Sequence, residues 1–170
     1  SYSDKQNFNY FAGNEAHNTV QFNNHNQMPR VSRFLFGEWL KCEFDEQIKH
    51  SEDSEKWSAS YVDYMGFYHK RGISLCRQGN WIIDDELVGV SRDYIIRWRL
   101  SPGDYELKEN ILFGKNVRVV ITANDDKVLT QLSTGYESLH YLEKTIIPVL
   151  EIRGTSLPVN IKTRILIEGN

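Results

Sequence analysis

A single histidine provides the first candidate for chemistry in this chain. His17 lies in the segment Gly13-Asn14-Glu15-Ala16-His17-Asn18-Thr19, directly before the strand-like pattern Val20-Gln21-Phe22. The small residues upstream allow the backbone to turn and to present an imidazole at the edge of a sheet. An imidazole titrates near neutral pH, so it can exchange a proton with a substrate at little energetic cost. A structural histidine and a merely exposed one are the competing interpretations, and the residues alone leave all three open.

A second polar group interrupts a hydrophobic region at Tyr68-His69-Lys70-Arg71. Polar side chains that are buried in a strand need partners. Asp84, Asp85 or Glu86 could supply them, which makes a structural ion-pair network the main interpretation of this group.

Arginines further along the chain are candidates for binding anions. The alternation of a strand places Arg97 and Arg99 on one face, and a planar guanidinium binds a carboxylate or sulfate at two points. The same arginines could instead pair with the many acidic residues of the chain, and both interpretations stay open. No glycine-rich phosphate loop, G-x-S-x-G elbow or H-E-x-x-H pattern is present.

The elements that must position these residues are short strands. Turn signals such as Gln78-Gly79-Asn80 and Ser101-Pro102-Gly103-Asp104 recur roughly every 8–12 residues, as in all-β sandwiches and barrels. We predict an all-β antiparallel sandwich that forms one domain over residues 1–170. We expect two strands at residues 31–37 and 39–44, a charged solvent loop at 45–56, and a helical turn only around 138–144.

Composition narrows the classes of function. The formal net charge of −3 provides no basic field for nucleic acid or an anionic membrane. No apolar run approaches the ~20 residues that a membrane-spanning helix needs. Nine Tyr and four Trp favour a β-rich fold and are compatible with sugar binding. Cys42 and Cys76 lack the spacing of metal ligands, and we expect both to be buried free thiols in strands.

Three ordered groups of segments resemble the C-terminal region of the heparinase II/III-like lyases, from Tyr10 to Ile167. The segments are Ala16-His17-Asn18-Thr19-Val20 with Gln27; His69-Lys70-Arg71 with Trp81-Ile82-Ile83-Asp84-Asp85-Glu86-Leu87; and Trp98-Arg99-Leu100-Ser101-Pro102-Gly103 with Ser133-Thr134-Gly135-Tyr136 and Pro148-Val149-Leu150-Glu151. The resemblance implies the C-terminal sandwich of a longer bacterial protein, periplasmic or secreted. An N-terminal (α/α) helical toroid would precede it and be its partner.

The resemblance also implies a reaction. Such a lyase cleaves an acidic polysaccharide that contains uronic acid, for example a glycosaminoglycan or an alginate-like polymer, by β-elimination. In this family a tyrosine and a carboxylate-neutralising Asn or Glu come from the helical domain, and the sandwich contributes a histidine at the position of His17. We therefore predict His17 to be catalytic in the full-length protein, and Asn18, Arg71, Arg97 and Arg99 to bind substrate. The chain by itself is expected to be inactive.

Some members of this family hold a metal in the sandwich through His and Asp, and His69 corresponds to the general position of one such ligand. Thr19 stands where a second His would be needed, and Cys42 or Glu43 would have to replace an Asp. We therefore predict no cofactor, and expect any divalent metal near His69 to be structural. The alternative function is a non-catalytic carbohydrate-binding or structural module. A stand-alone cupin-like enzyme ranks last because the five histidines are scattered.

Overall fold

The computed structural model describes residues 5–90, 93–140 and 143–168 of the chain. A helix α1 (Lys5–Ala12) and a short 3-10 turn (Asn14–Ala16) precede twelve strands. The strands are β1 (Val20–Phe22), β2 (Lys41–His50), β3 (Ser54–Val62), β4 (Tyr68–Cys76), β5 (Trp81–Val88), β6 (Tyr94–Arg99), β7 (Glu106–Lys108), β8 (Ile111–Gly114), β9 (Val117–Ala123), β10 (Leu129–Glu137), β11 (Thr145–Gly154) and β12 (Val159–Ile167).

The strands form two antiparallel sheets packed face to face, which confirms the predicted all-β sandwich. The smaller sheet has the order β1-β6-β11-β10, and the larger has the order β2-β3-β4-β5-β12-β9-β8-β7. None of the described helices is long and apolar enough to cross a membrane.

Alternating apolar residues of both sheets fill the core between them. In β5, for example, Ile83 and Leu87 are buried while Asp84 and Glu86 are exposed. Burying one such aliphatic side chain contributes about 1.5–3 kcal/mol. The smaller sheet supplies Val20, Phe22, Ile96, Leu150 and Ile152, and the larger supplies Leu87, Val119, Ile121, Val159 and Ile161.

The first helix lies where no helix was predicted. It packs on the outer face of the smaller sheet, where the Tyr10 hydroxyl accepts hydrogen bonds from the Tyr136 backbone N–H (2.8 Å) and from Arg99 Nη1 (3.0 Å). These tertiary contacts hold a helix that is too short to be stable by itself. The helical turn expected around 138–144 is wrong for the described residues of that segment, since none of them is helical.

Residues 29–56 also differ from the prediction. Residues 31–37 form a tight turn instead of a strand, closed by hydrogen bonds from Val31 N–H to the Leu35 carbonyl (2.9 Å) and from Gly37 N–H to the Pro29 carbonyl (2.9 Å). The charged segment 45–56, predicted as a loop, continues β2 and begins β3. β2 is an edge strand of the larger sheet, a place where proteins commonly carry charged residues.

The two cysteines lie in strands as predicted and are free thiols, but they are not buried. Cys42 is exposed and Cys76 is half-buried. The expectation of burial was wrong for Cys42 because it lies on the edge strand β2, where one side of the strand faces solvent.

Candidate active-site edge

The turn before His17 is fixed by the hydrogen bonds of a buried asparagine. Asn14 donates from Nδ2 to the Val20 carbonyl (3.1 Å), and its Oδ1 accepts from the backbone N–H of Gln27 (3.3 Å). The Asn14 carbonyl in turn accepts the backbone N–H of His17 (3.2 Å). A polar side chain that is buried with its hydrogen bonds satisfied fixes the path of the chain, so the backbone reaches His17 along a defined route.

The segment from His17 to Thr19, which we call the His17 loop, then runs beside β6. The Thr19 carbonyl accepts the backbone N–H of Arg97 (3.2 Å), and the Asn18 Oδ1 accepts the backbone N–H of Arg99 (2.8 Å). The Asn18 side chain thus replaces a strand carbonyl as the partner of β6. His17 and Asn18 are both exposed, so the loop has a fixed backbone and an imidazole that faces solvent.

Arg71 connects the larger sheet to the same loop. Its Nη1 donates to the Asn18 carbonyl (2.7 Å), while Nε and Nη2 donate to the two carboxylate oxygens of Asp85 (2.6 and 3.1 Å). The guanidinium carbon also lies 4.6 Å from the centre of the Trp98 ring, which adds a cation–π contact. The guanidinium is therefore held on three sides.

Asp85 is the buried centre of this group, and its side chain is 0% exposed. His69 Nε2 lies 2.7 Å from Asp85 Oδ1, which confirms that the polar strand residue pairs with one of the three predicted carboxylates. Burial would raise the pKa of the Asp85 carboxyl, but the hydrogen bond from His69 and the charge of Arg71 outweigh it and hold that pKa below its usual value. Asp85 is therefore an anion at neutral pH.

Arg97 and Arg99 share the outer face of the smaller sheet, as the alternation predicted. Arg97 is buried there, and it donates to Glu151 Oε1 (3.1 Å) and Gln21 Oε1 (2.8 Å). Arg99 is half-buried and donates to the Tyr10 hydroxyl and the Tyr136 carbonyl. Of the two interpretations of Arg97 left open above, the structure shows the pairing with an acidic residue, Glu151. The structure brings His17, Asn18, Arg71 and the Arg99 backbone together, but not the Arg97 guanidinium.

Tyr61 and Gln27 form a polar layer beneath the loop. Gln27 Nε2 donates to Thr19 Oγ1 (2.7 Å) and to the Tyr61 hydroxyl, and the Tyr61 ring packs edge-on against His69. Burial raises the pKa of Tyr61 well above its usual value despite these hydrogen bonds, so its phenol is neutral and is not a base at neutral pH. Its place in an alternating strand was the available signal, but that alternation indicates a strand and no role of Tyr61 in the site.

The residues around His69 do not fit a divalent metal. Within the described residues, no group of three or more His, Cys, Asp or Glu side chains converges. The Arg71 guanidinium already occupies both oxygens of Asp85, and a second cation beside it would be repelled. Thr19, which stands in the expected place of a second histidine, accepts a hydrogen bond from Gln27 at its hydroxyl oxygen. The expectation that no metal is held remains a prediction.

Fold and site together define a large antiparallel sandwich with a histidine-bearing loop at its edge whose backbone is hydrogen-bonded to both sheets. The sequence model of the family described as heparinase II/III-like, C-terminal, matches residues 1–148. The chain therefore belongs to this family of polysaccharide lyases.

Solved structures show the same fold. The chain superposes on a heparinase III, the BT4657 gene product, with a TM-score of 0.78 at 13% identity, covering 98% of this chain and 26% of that one. A heparan sulfate lyase HepC mutant from Pedobacter heparinus gives 0.77 at 14% identity, with 99% and 27% covered. A further heparinase III gives 0.74 at 16%, with 100% and 26% covered.

The chain thus spans about a quarter of the length of these structures and corresponds to one part of each. At identities this low, the likeness establishes the fold and not the substrate. No curated protein matches the chain in sequence.

Proposed function

We propose that the chain forms one wall of the active-site cleft of a polysaccharide lyase, and that His17 moves a proton at the reacting sugar. The substrate is an acidic polysaccharide containing uronic acid, cleaved by β-elimination. The observation that carries this proposal is the exposed imidazole of His17 on a loop whose backbone is fixed at several points. Catalytic groups need this combination of free access and fixed position.

The reaction needs two proton transfers. A base removes the C5 proton of the uronate, the C–H electron pair forms the C4=C5 double bond, and the C4–O bond breaks. The departing oxygen takes a proton, so one product carries an unsaturated sugar. An imidazole is suited to either transfer because its usual pKa lies near neutrality, and the proposal leaves open which of the two His17 performs.

Asn18 and Arg99 are proposed to bind the polymer. Because Asn18 Oδ1 accepts the Arg99 N–H, its amide nitrogen takes no part in that bond and can donate to a hydroxyl or carboxylate. Arg99 supplies positive charge next to the loop, which favours an anionic polymer, whereas the charge of Arg71 is already paired with both oxygens of Asp85. A contribution of Arg97 would require its buried pairing with Glu151 to open.

The facing wall is proposed to be an N-terminal helical toroid of the same protein, which supplies the tyrosine and the residue that neutralises the uronate carboxylate. A protein that acts on such a polymer would work in the periplasm or outside the cell. The isolated sandwich is then expected to release no unsaturated product, because half of the cleft is missing.

The test is His17→Ala in the full-length protein, assayed by the ultraviolet absorbance of the unsaturated uronate. Loss of a general acid or base lowers kcat by about 10²–10⁴-fold. His50→Ala is the matched control, because His50 is also exposed and pairs only with the surface residue Glu55 among the contacts described. We expect it to keep wild-type turnover. Wild-type turnover of the His17 variant would refute the catalytic role.

A non-catalytic glycan-binding module is the alternative. The observation in its favour is a pair of half-buried aromatic residues on the larger sheet, Trp57 and Trp81. Their ring centroids are 6.2 Å apart and the rings are arranged edge to face. Aromatic faces of this kind stack on sugars. Tight binding of a uronic polymer to the 170-residue chain, together with no product from the full-length protein, would support the module and contradict the lyase.

A further inference from the structure

The hydrogen bonds of Arg71 point in two directions. Toward the core it donates hydrogen bonds to both carboxylate oxygens of Asp85. Toward the edge it donates to the carbonyl of Asn18, 53 residues earlier in the chain. One side chain of the larger sheet therefore fixes the backbone of a loop that runs beside the smaller sheet. The residue after His17 is held by this contact.

The guanidinium has little freedom to move. Its carboxylate partner is fully buried, and His69, whose side chain is 5% exposed, binds the same Asp85 Oδ1 that accepts from Arg71 Nε. The Trp98 ring lies 4.6 Å from the guanidinium carbon. A lysine could not reproduce this arrangement, because a single ammonium cannot match the planar fork that spans a carboxylate and a carbonyl.

A buried ion pair is weak evidence for stability alone, since apolar residues of similar volume often stabilise a fold as well or better. What the pair supplies here is a donor at a fixed point under the loop. We propose that Arg71, anchored by Asp85 and His69, is a positioning residue that sets the place of the His17 imidazole through the Asn18 backbone. This inference rests on the proposed function, and it gives Arg71 a role distinct from direct contact with substrate.

Kinetics of the full-length protein separate the two roles. A misplacement of about 1 Å in a catalytic group can cost about 10²-fold in rate. We therefore expect Arg71→Lys and Asp85→Asn each to lower kcat by about that factor with KM nearly unchanged. Asp85 is the sharper probe because its buried side chain cannot touch a polymer. A raised KM with unchanged kcat in Arg71→Lys would overturn positioning in favour of substrate binding.

Arg153→Lys is the matched control. Arg153 also contacts a carboxylate through two nitrogens, donating from Nε (3.1 Å) and Nη2 (2.6 Å) to Glu151 Oε2. No described contact joins it to the His17 loop, so wild-type kcat is expected. If Asp85→Asn fails to fold, Arg71→Lys carries the test, because Arg71 lies nearer the surface with 17% of its side chain exposed.

Hydrogen exchange of the same full-length variants gives a readout that does not depend on activity. The amides of Arg97 and Arg99 donate to Thr19 and Asn18, so their exchange reports on the His17 loop. Faster exchange at residues 95–100 in the Arg71 variant, and not in the Arg153 control, is expected. Unchanged exchange would overturn the inference. If exchange rises while His17→Ala stays fully active, the positioning survives and the proposed function fails.

Discussion

Replacing Asp85 with asparagine should be among the most damaging single changes in this chain. The carboxylate accepts three charge-assisted hydrogen bonds, from His69 Nε2 (2.7 Å) and from Arg71 Nε and Nη2 (2.6 and 3.1 Å). Asparagine removes the charge and turns one acceptor into a donor that faces other donors. The guanidinium of Arg71, with 17% of its side chain exposed, then lacks its counter-ion. Removing one partner of a buried pair costs about 3–5 kcal/mol.

That loss is large against the total stability of a domain, about 5–15 kcal/mol. Urea unfolding of the 170-residue chain, followed by tryptophan fluorescence, should show it directly. In thermal unfolding the same change corresponds to roughly 6–20 °C, at about 2–4 °C per kcal/mol for a chain of this size. Asp84→Asn is the control. Asp84 is the preceding residue of β5, its side chain is 54% exposed, and it pairs with Lys162 at 3.2 Å. Such a surface pair contributes about 0–1 kcal/mol.

The difference between wild type and Asp85→Asn should also depend on pH. Because the folded protein holds the pKa of Asp85 below its usual value of 3.8, the carboxylate contributes stability that is fully present above the unfolded pKa. That contribution is lost as pH falls through the folded pKa. The two unfolding free energies should therefore differ by a constant amount above about pH 5 and converge in acid. An Asp85→Asn loss no larger than that of Asp84→Asn would refute the reasoning, as would a difference that is independent of pH down to strong acid.

Three further changes test the packing, the phenols and the metal. Gly135→Ala should weaken the packing of α1, because an added Cβ would lie 2.8 Å from both the Tyr10 hydroxyl and a Val149 methyl group. We expect the free energy of unfolding in urea to fall by about 1–3 kcal/mol. A variant as stable as the wild type would contradict the packing of this helix against the sheet. Burial raises the pKa of Tyr94 to about 12, and it also raises the pKa of Tyr61 above its usual value. Replacing either residue by Phe should therefore leave unchanged the phenolate absorbance that develops near pH 10. A smaller absorbance change near pH 10 in one variant would show that the replaced tyrosine has an unshifted pKa. Treatment with a chelator should leave the melting temperature of the chain unchanged, and a stoichiometric ion in metal analysis would contradict the expected absence of a cofactor.

The sandwich could be predicted because its core strands alternate clearly. Strand β6, for example, buries Ile96 between the sheets and turns Arg97 to the other face, as the period of two requires. The charged segment 45–56 was misread because an edge strand has no need of an apolar pattern. Helix α1 was not predicted because the contact that holds it is distant in sequence. The Tyr10 hydroxyl of α1 accepts the backbone N–H of Tyr136 in β10, 126 positions later.

Candidate site residues were predictable as types and not as partners. The sequence suggested that His69 needs a nearby carboxylate, and the antiparallel pairing of β4 with β5 supplies one. No local pattern could show that Arg97 meets Glu151, 54 residues later, or that Arg71 meets the backbone of Asn18. Such pairings follow from the order of strands in the two sheets, which a single sequence does not specify.

The two parts of the candidate site should therefore differ in how mutation affects the stability of the chain. The ring of His17 is exposed, and no described contact of that ring supports the fold, so removing it should cost activity and almost no stability. Asp85 is buried and cannot reach a polymer, so its replacement should cost stability and lower kcat only through the loop. If both changes lowered stability alike, His17 would be part of the fold, and the proposed division between the exposed proton-transfer group and its buried support would be wrong.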